Sequence, residues 1–134
     1  MTPTHIEHIG IAVRSLDAAI PLFAKILGTG CYAVEEVKDQ NVKTAFFMIA
    51  GTKIELLEST SSDGPIAKFI EKKGEGIHHI ALAVDGLVSF LNALEDVPIQ
   101  IIDKQPRKGA EGLNIAFLHP KSAHGVLIEL CEKR

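Results

Sequence analysis

His78-His79-Ile80-Ala81-Leu82-Ala83-Val84 decides how this chain is read, because it has a twin near the other end, His8-Ile9-Gly10-Ile11-Ala12-Val13. Laying His8 on His79 brings Val13 onto Val84 and Leu16 onto Leu87, and sets Ile20 and Phe23 on Leu91 and Leu94. A second echo closes each half: Thr52-Lys53-Ile54-Glu55-Leu56 against Val126-Leu127-Ile128-Glu129-Leu130. An internal repeat is weighed before any single residue, since it dictates the architecture. Each half carries one histidine near its start and one glutamate near its end.

Both histidine segments alternate with the period of a strand. Ile9, Ile11 and Val13 point one way and His8, Gly10 and Ala12 the other; Ile80, Leu82 and Val84 oppose His79, Ala81 and Ala83. The large side chains form a face that packs helices. The histidine shares its face only with glycine or alanine, which leaves open volume there, as on the floor of a cavity.

Outward from these strands, Leu16, Ala19, Ile20, Phe23 and Leu27 fall at helical spacing over 16–27, with Ser15 or Asp17 as cap and Gly28 as stop. Pro21 lies beyond the tolerated first turn and predicts a kink or a later start. Strands are expected over 30–38, 43–50 and 53–58, split by Asp39-Gln40-Asn41 and the tight turn Gly51-Thr52. Pro65 opens a helix to about Lys73, which Gly74-Glu75-Gly76 ends. The second half predicts a helix at 87–95 and strands at 98–103, 113–118 and 125–131. Lys104–Gly112, with Pro106 and two glycines, reads as an irregular binding loop. The expected class is α+β: one domain of two βαβββ modules, about 5–60 and 76–132, joined by the helix at 65–73 and forming a cupped mixed sheet around a central metal site.

The bulk numbers fit that picture. At 134 residues, 46% hydrophobic and 23% charged, the chain suits one globular domain. No apolar run approaches the roughly 20 residues of a membrane span, and the N-terminus has no signal-peptide profile. A net charge of −3 without a basic cluster offers no footprint for nucleic acid. Cys31 and Cys131 read as free buried thiols within strands, suited to a reducing cytoplasm; a disulfide between them is the alternative.

The candidate metal ligands are His8, Glu55, His79 and Glu129. A lone histidine at a strand start is ordinary; two at matching positions on small-residue faces are not. Glu129 lies in Val126-Leu127-Ile128-Glu129-Leu130-Cys131, the most apolar strand, where an unpaired carboxylate is costly. Two imidazoles with two carboxylates suit Zn²⁺, Co²⁺, Mn²⁺, Ni²⁺ or Fe²⁺. His78 turns to the opposite face for a structural role, and His5 lies near the terminus. His119 and His124 flank a turn in which Lys121 is placed to meet an anion.

These residues resemble the vicinal-oxygen-chelate superfamily, and within it the methylmalonyl-CoA epimerases. The matching stretches are His8-Ile-Gly-Ile-Ala-Val13, Asp63-Gly-Pro-Ile-Ala-Lys-Phe69, Gly76-Ile-His-His-Ile80, Phe117-Leu-His-Pro-Lys121 and Gly125-Val-Leu-Ile-Glu-Leu130. The His-His pair and the His-Pro-Lys turn differ from the Asp-Pro-Asp-Gly turn typical of glyoxalase I. The resemblance implies a divalent metal (Co, Zn, Mn or Ni) on His8, His79, Glu129 and Glu55. It also implies an acyl-CoA substrate, Glu129 as the catalytic base, Thr44, Asn114 and Lys121 at the substrate, and a homodimer. The implied reaction moves the proton between thioester and carboxylate, interconverting (R)- and (S)-methylmalonyl-CoA. Thr44 stands where some members carry a second glutamate, so a water on Thr44 or an acid from another element would replace it; Glu35, Glu36 and Asp39 are near in sequence. A glyoxalase I-like lyase or another metal-dependent enzyme of the same fold is the alternative, and a metal-free binding protein of the same fold a third reading.

Overall fold

The computed structural model describes residues 2–133. In chain order it runs β1 (His5–Ala12), α1 (Leu16–Leu27), β2 (Ala33–Val37), β3 (Val42–Ile49), β4 (Thr52–Ser59), α2 (Pro65–Lys73), β5 (Gly76–Ala83), α3 (Leu87–Leu94), β6 (Arg107–Lys108), β7 (Asn114–Leu118) and β8 (Ile128–Glu132). The class is α+β, and each half is βαβββ. The chain divides into two compact units, one of His8–His78 and one of His79 onward together with the residues up to Glu7.

In the unit His8–His78 the strand order is β2-β3-β4-β1, with β1 parallel to β4 and the other neighbours antiparallel. In the other unit β5, β8, β7 and β6 lie in that order, β5 parallel to β8 and the rest antiparallel. Each set of four strands is therefore mixed. The alternation sorts their faces as the sequence predicts. Ala45, Phe47 and Leu56 pack beneath α1 with Val13 and Leu16, while Leu82, Val84, Ala116 and Leu130 pack beneath α3 with Leu87 and Leu91. On the histidine-bearing face of β2-β3-β4-β1, α2 covers one end through Ile66 on Ala12, Val42 and Leu57.

The repeat extends further than its histidines. Three residues beyond Glu55, and so on the opposite face, Glu58 accepts the Leu16 N–H at 2.7 Å at the start of α1. Three beyond Glu129, Glu132 accepts the N–H groups of Gly86 and Leu87 at the start of α3, the latter at 2.9 Å. A carboxylate there satisfies orphan donors and meets the positive end of the helix dipole. Each closing strand thus carries one glutamate for either face.

Three expectations are corrected. Pro21 neither interrupts α1 nor delays it: the helix runs from the Ser15 cap, whose Oγ accepts the Ala18 N–H, to Gly28 at φ 68°. Pro21 and Asp17, whose carbonyl loses its helical partner, are both exposed, so the missing bond leaves no buried orphan. The strand at 98–103 is absent as a strand, with only an isolated bridge between Ile101 and Leu118. The N–H groups of Ile102 and Asp103 both point at the Phe117 carbonyl, at 2.9 and 3.4 Å, and the Phe117 N–H turns to Asp103 Oδ2 at 2.9 Å. That two-on-one pairing is a bulge, and it ends the ladder. Pairing resumes at β6, inside the stretch expected to be irregular. Cys31 precedes β2 rather than lying in it, and neither cysteine forms a disulfide. Among the described residues no helix is long and apolar enough to cross a membrane.

Candidate metal centre

Each unit builds one buried His–Glu pair from its parallel strands. His8 on β1 stands opposite Lys53 in β4 and Gly10 opposite Glu55, so His8 and Glu55 share a face two residues apart. The absence of a side chain at Gly10 clears the space between them. His8 Nδ1 lies 3.1 Å from Glu55 Oε2. On β5 and β8 the same register recurs, Ala81 opposite Glu129, and His79 Nε2 lies 3.4 Å from Glu129 Oε1. Alanine does for the second pair what glycine does for the first. All four residues are 3–5% exposed.

A divalent ion fits these donors. Two adjacent ligands about 2.0–2.2 Å from one ion lie about 3.0–3.4 Å apart, which is the spacing within both pairs. A carboxylate this buried needs a cation or a set of donors. All four side chains offer neutral-nitrogen or hard-oxygen donors of the kind that hold such ions.

The other expected residues are placed less uniformly. Thr44 is 1% exposed on β3, on the Glu55 face, and lies cross-strand from both Leu57 and Glu35. Glu35 is half-buried; the exposed Glu36 alternates to the opposite face, and Asp39 lies in a short 3₁₀ turn. Asn114 lies opposite Glu132, on the face that packs α3, not on the Glu129 face, because Phe117 is the β7 residue that faces Glu129. Lys121 is exposed in the 3₁₀ turn after β7, where its N–H is held by His119 Nδ1 at 3.0 Å. His78 packs edge-on against Phe69 at 4.9 Å. Burial, with the Lys73 charge adding to it, pulls its pKa down to about 4.

Sequence reasoning passed over two residues that bear on the site. Glu7, directly before His8, is a buried carboxylate at 8% exposure; a charged residue next to a candidate ligand was its signal. Phe117 sets its ring edge-on to His79 at 5.8 Å, reaching the imidazole across β8, the strand that carries Glu129. Its cross-strand position opposite Glu129 becomes visible only once the β7–β8 register is known.

The Glyoxalase/Bleomycin resistance protein/Dioxygenase superfamily profile matches residues 7–117. An uncharacterized Bacillus subtilis protein, YqjC, is 44% identical over 96% of this chain and 92% of its own. The mitochondrial methylmalonyl-CoA epimerase of Dictyostelium discoideum is 37% identical over 96% of this chain and 78% of its own. A variant of the Streptomyces coelicolor methylmalonyl-CoA epimerase, solved with 2-nitronate-propionyl-CoA, superposes with a TM-score of 0.93 at 35% identity, covering 98% of this chain and 96% of that one.

Proposed function

The chain belongs to the Glyoxalase/Bleomycin resistance protein/Dioxygenase superfamily, and from that premise we propose that it is a metal-dependent epimerase interconverting (R)- and (S)-methylmalonyl-CoA. The observation that carries the reading is the repeated buried His–Glu pair, at 3.1 and 3.4 Å. The similarity to methylmalonyl-CoA epimerases over nearly the whole chain supports the substrate.

On this reading His8, Glu55, His79 and Glu129 together hold one divalent ion. Such an ion supplies Lewis acidity toward the thioester and carboxylate oxygens, stabilising the charge that develops as the proton departs. Glu129 takes the proton from the carbon between those two groups, a step worth about 10²–10⁴-fold for a positioned base. Inversion requires that a second acid return a proton to the other face. The cross-strand pair of buried Thr44 and half-buried Glu35 is the assignment we make for it, with Thr44 carrying the proton and Glu35 behind it. The apolar surroundings, among them Phe46 opposite Glu55 and Phe117 opposite Glu129, exclude water that would quench the carbanion. The two thiols, neither of them in a disulfide, suit the cytoplasm, and the exposed apolar Tyr32 just before β2, Val34 on β2, and Met48 and Ile49 on β3 suit a homodimer.

The test offers the metal-loaded protein one isomer of methylmalonyl-CoA and, separately, the methylglyoxal–glutathione hemithioacetal. Appearance of the other methylmalonyl-CoA isomer, with the hemithioacetal untouched, is the expected result. The converse result would make the protein a glyoxalase I-like lyase, and inertness toward both with no ion bound would make it a binding protein.

A further inference from the structure

The bulge at Asp103 does more than end a strand. It delivers Arg107 to the first position of β6, opposite Ile115, so its side chain projects on the face shared by Ile115, Phe117 and Glu129. The guanidinium carbon sits 5.4 Å from the centre of the Phe117 ring. Arg107 Nε is 3.2 Å from Asp103 Oδ1, while Asp103 Oδ2 is spent on the Phe117 N–H. The same ring reaches His79 on its other contact, at 5.8 Å. Arg107 is therefore stationed one aromatic ring from a candidate metal ligand.

We infer that Arg107 is a recognition residue for an anionic group of the acyl-CoA, an inference that rests on the acyl-CoA reading above. A guanidinium frequently meets a carboxylate as a two-toothed fork, and that of Arg107, 44% exposed, does not. Here Asp103 holds Nε alone, and Nη1 and Nη2 have no polar partner among the described residues. The plane is fixed by the ring and the bulge, and the two Nη groups are left for a ligand. A planar pair of N–H donors matches the two oxygens of a carboxylate or a phosphate. Because its orientation is already set, little rotamer entropy is lost on binding. A malonyl-type acyl-CoA carries both kinds of anion, one on the acyl group and several on the CoA.

The test measures kcat and KM of wild type, R107A and R107K on methylmalonyl-CoA and on methylmalonyl-pantetheine, which lacks the phosphates. R107A is expected to raise KM for methylmalonyl-CoA by about 10- to 100-fold, the range of a lost charge-assisted contact, with kcat changed less than about threefold; R107K recovers part of it. A penalty that persists on the pantetheine thioester assigns the acyl carboxylate, and one that vanishes assigns a CoA phosphate. Unchanged KM on both substrates overturns the inference. R107K, which keeps the charge and the stem but loses the fork, serves if R107A does not fold. Should wild type not epimerise at all, the proposed function fails by itself, and calorimetry with CoA and with malonate decides the inference instead. Binding weakened by R107K supports it; equal binding overturns it.

Discussion

The residues that matter most are those whose charge the fold has removed from water. Glu129 is 5% exposed, and its neighbour is an imidazole nitrogen rather than a permanent cation. Glutamine in its place keeps the volume and one oxygen but cannot take a proton. Glu129→Gln is expected to lower kcat for epimerisation by about 10²–10⁴-fold, while exchange-inert ground-state binding of CoA stays within a few-fold. Turnover near wild type would assign the base elsewhere. His78, one residue before a candidate ligand, is a different case. Packed on Phe69 and beside Lys73, it is held neutral, with its pKa at about 4 against 6.5 unfolded. A lowered folded pKa means that the unfolded chain binds the proton first. The stability is complete above pH 6.5 and is lost as pH falls toward 4, on the order of 2 kcal/mol. Melting curves at pH 7 and 4.5 check this: wild type should lose more than His78→Gln over that interval.

At the scale of elements, the two helix-capping glutamates repeat as faithfully as the site pairs. Removing Glu58 or Glu132 takes a carboxylate from a helix N-terminus and orphans its N–H groups. Alanine at either position should cost about 1–2 kcal/mol, read as a similar drop in denaturation midpoint for the two variants. A cost for only one would show that the halves are not built alike. The helices and histidine strands were legible because their periods are local: Ser15 and Gly28 bound α1, and the alternation at 8–13 and 78–84 puts histidine opposite isoleucine and leucine. Glu55 and Glu129 were legible through the repeat. What escaped depends on partners distant in sequence. Ile99–Asp103 has strand residues, but the Asp103 carboxylate takes the Phe117 N–H and creates the bulge. Arg107 and the face of Asn114 follow from that register, which no local period encodes.

At the scale of the whole molecule, each repeat supplies half of the proposed ligand set. A histidine beside glycine or alanine, a glutamate two residues along the neighbouring parallel strand, and a second glutamate turned outward to cap a helix recur in both. Duplication of the pair admits two arrangements, one ion per pair or one ion for both. Only the second gives the shared centre the proposed chemistry needs. Native mass spectrometry of the protein loaded with Co²⁺ or Zn²⁺, alongside His8→Ala and His79→Ala, separates them. One ion per wild-type chain, and its loss in either variant, is the expected result; two ions per chain, or one retained when either pair is broken, would rule out a shared centre.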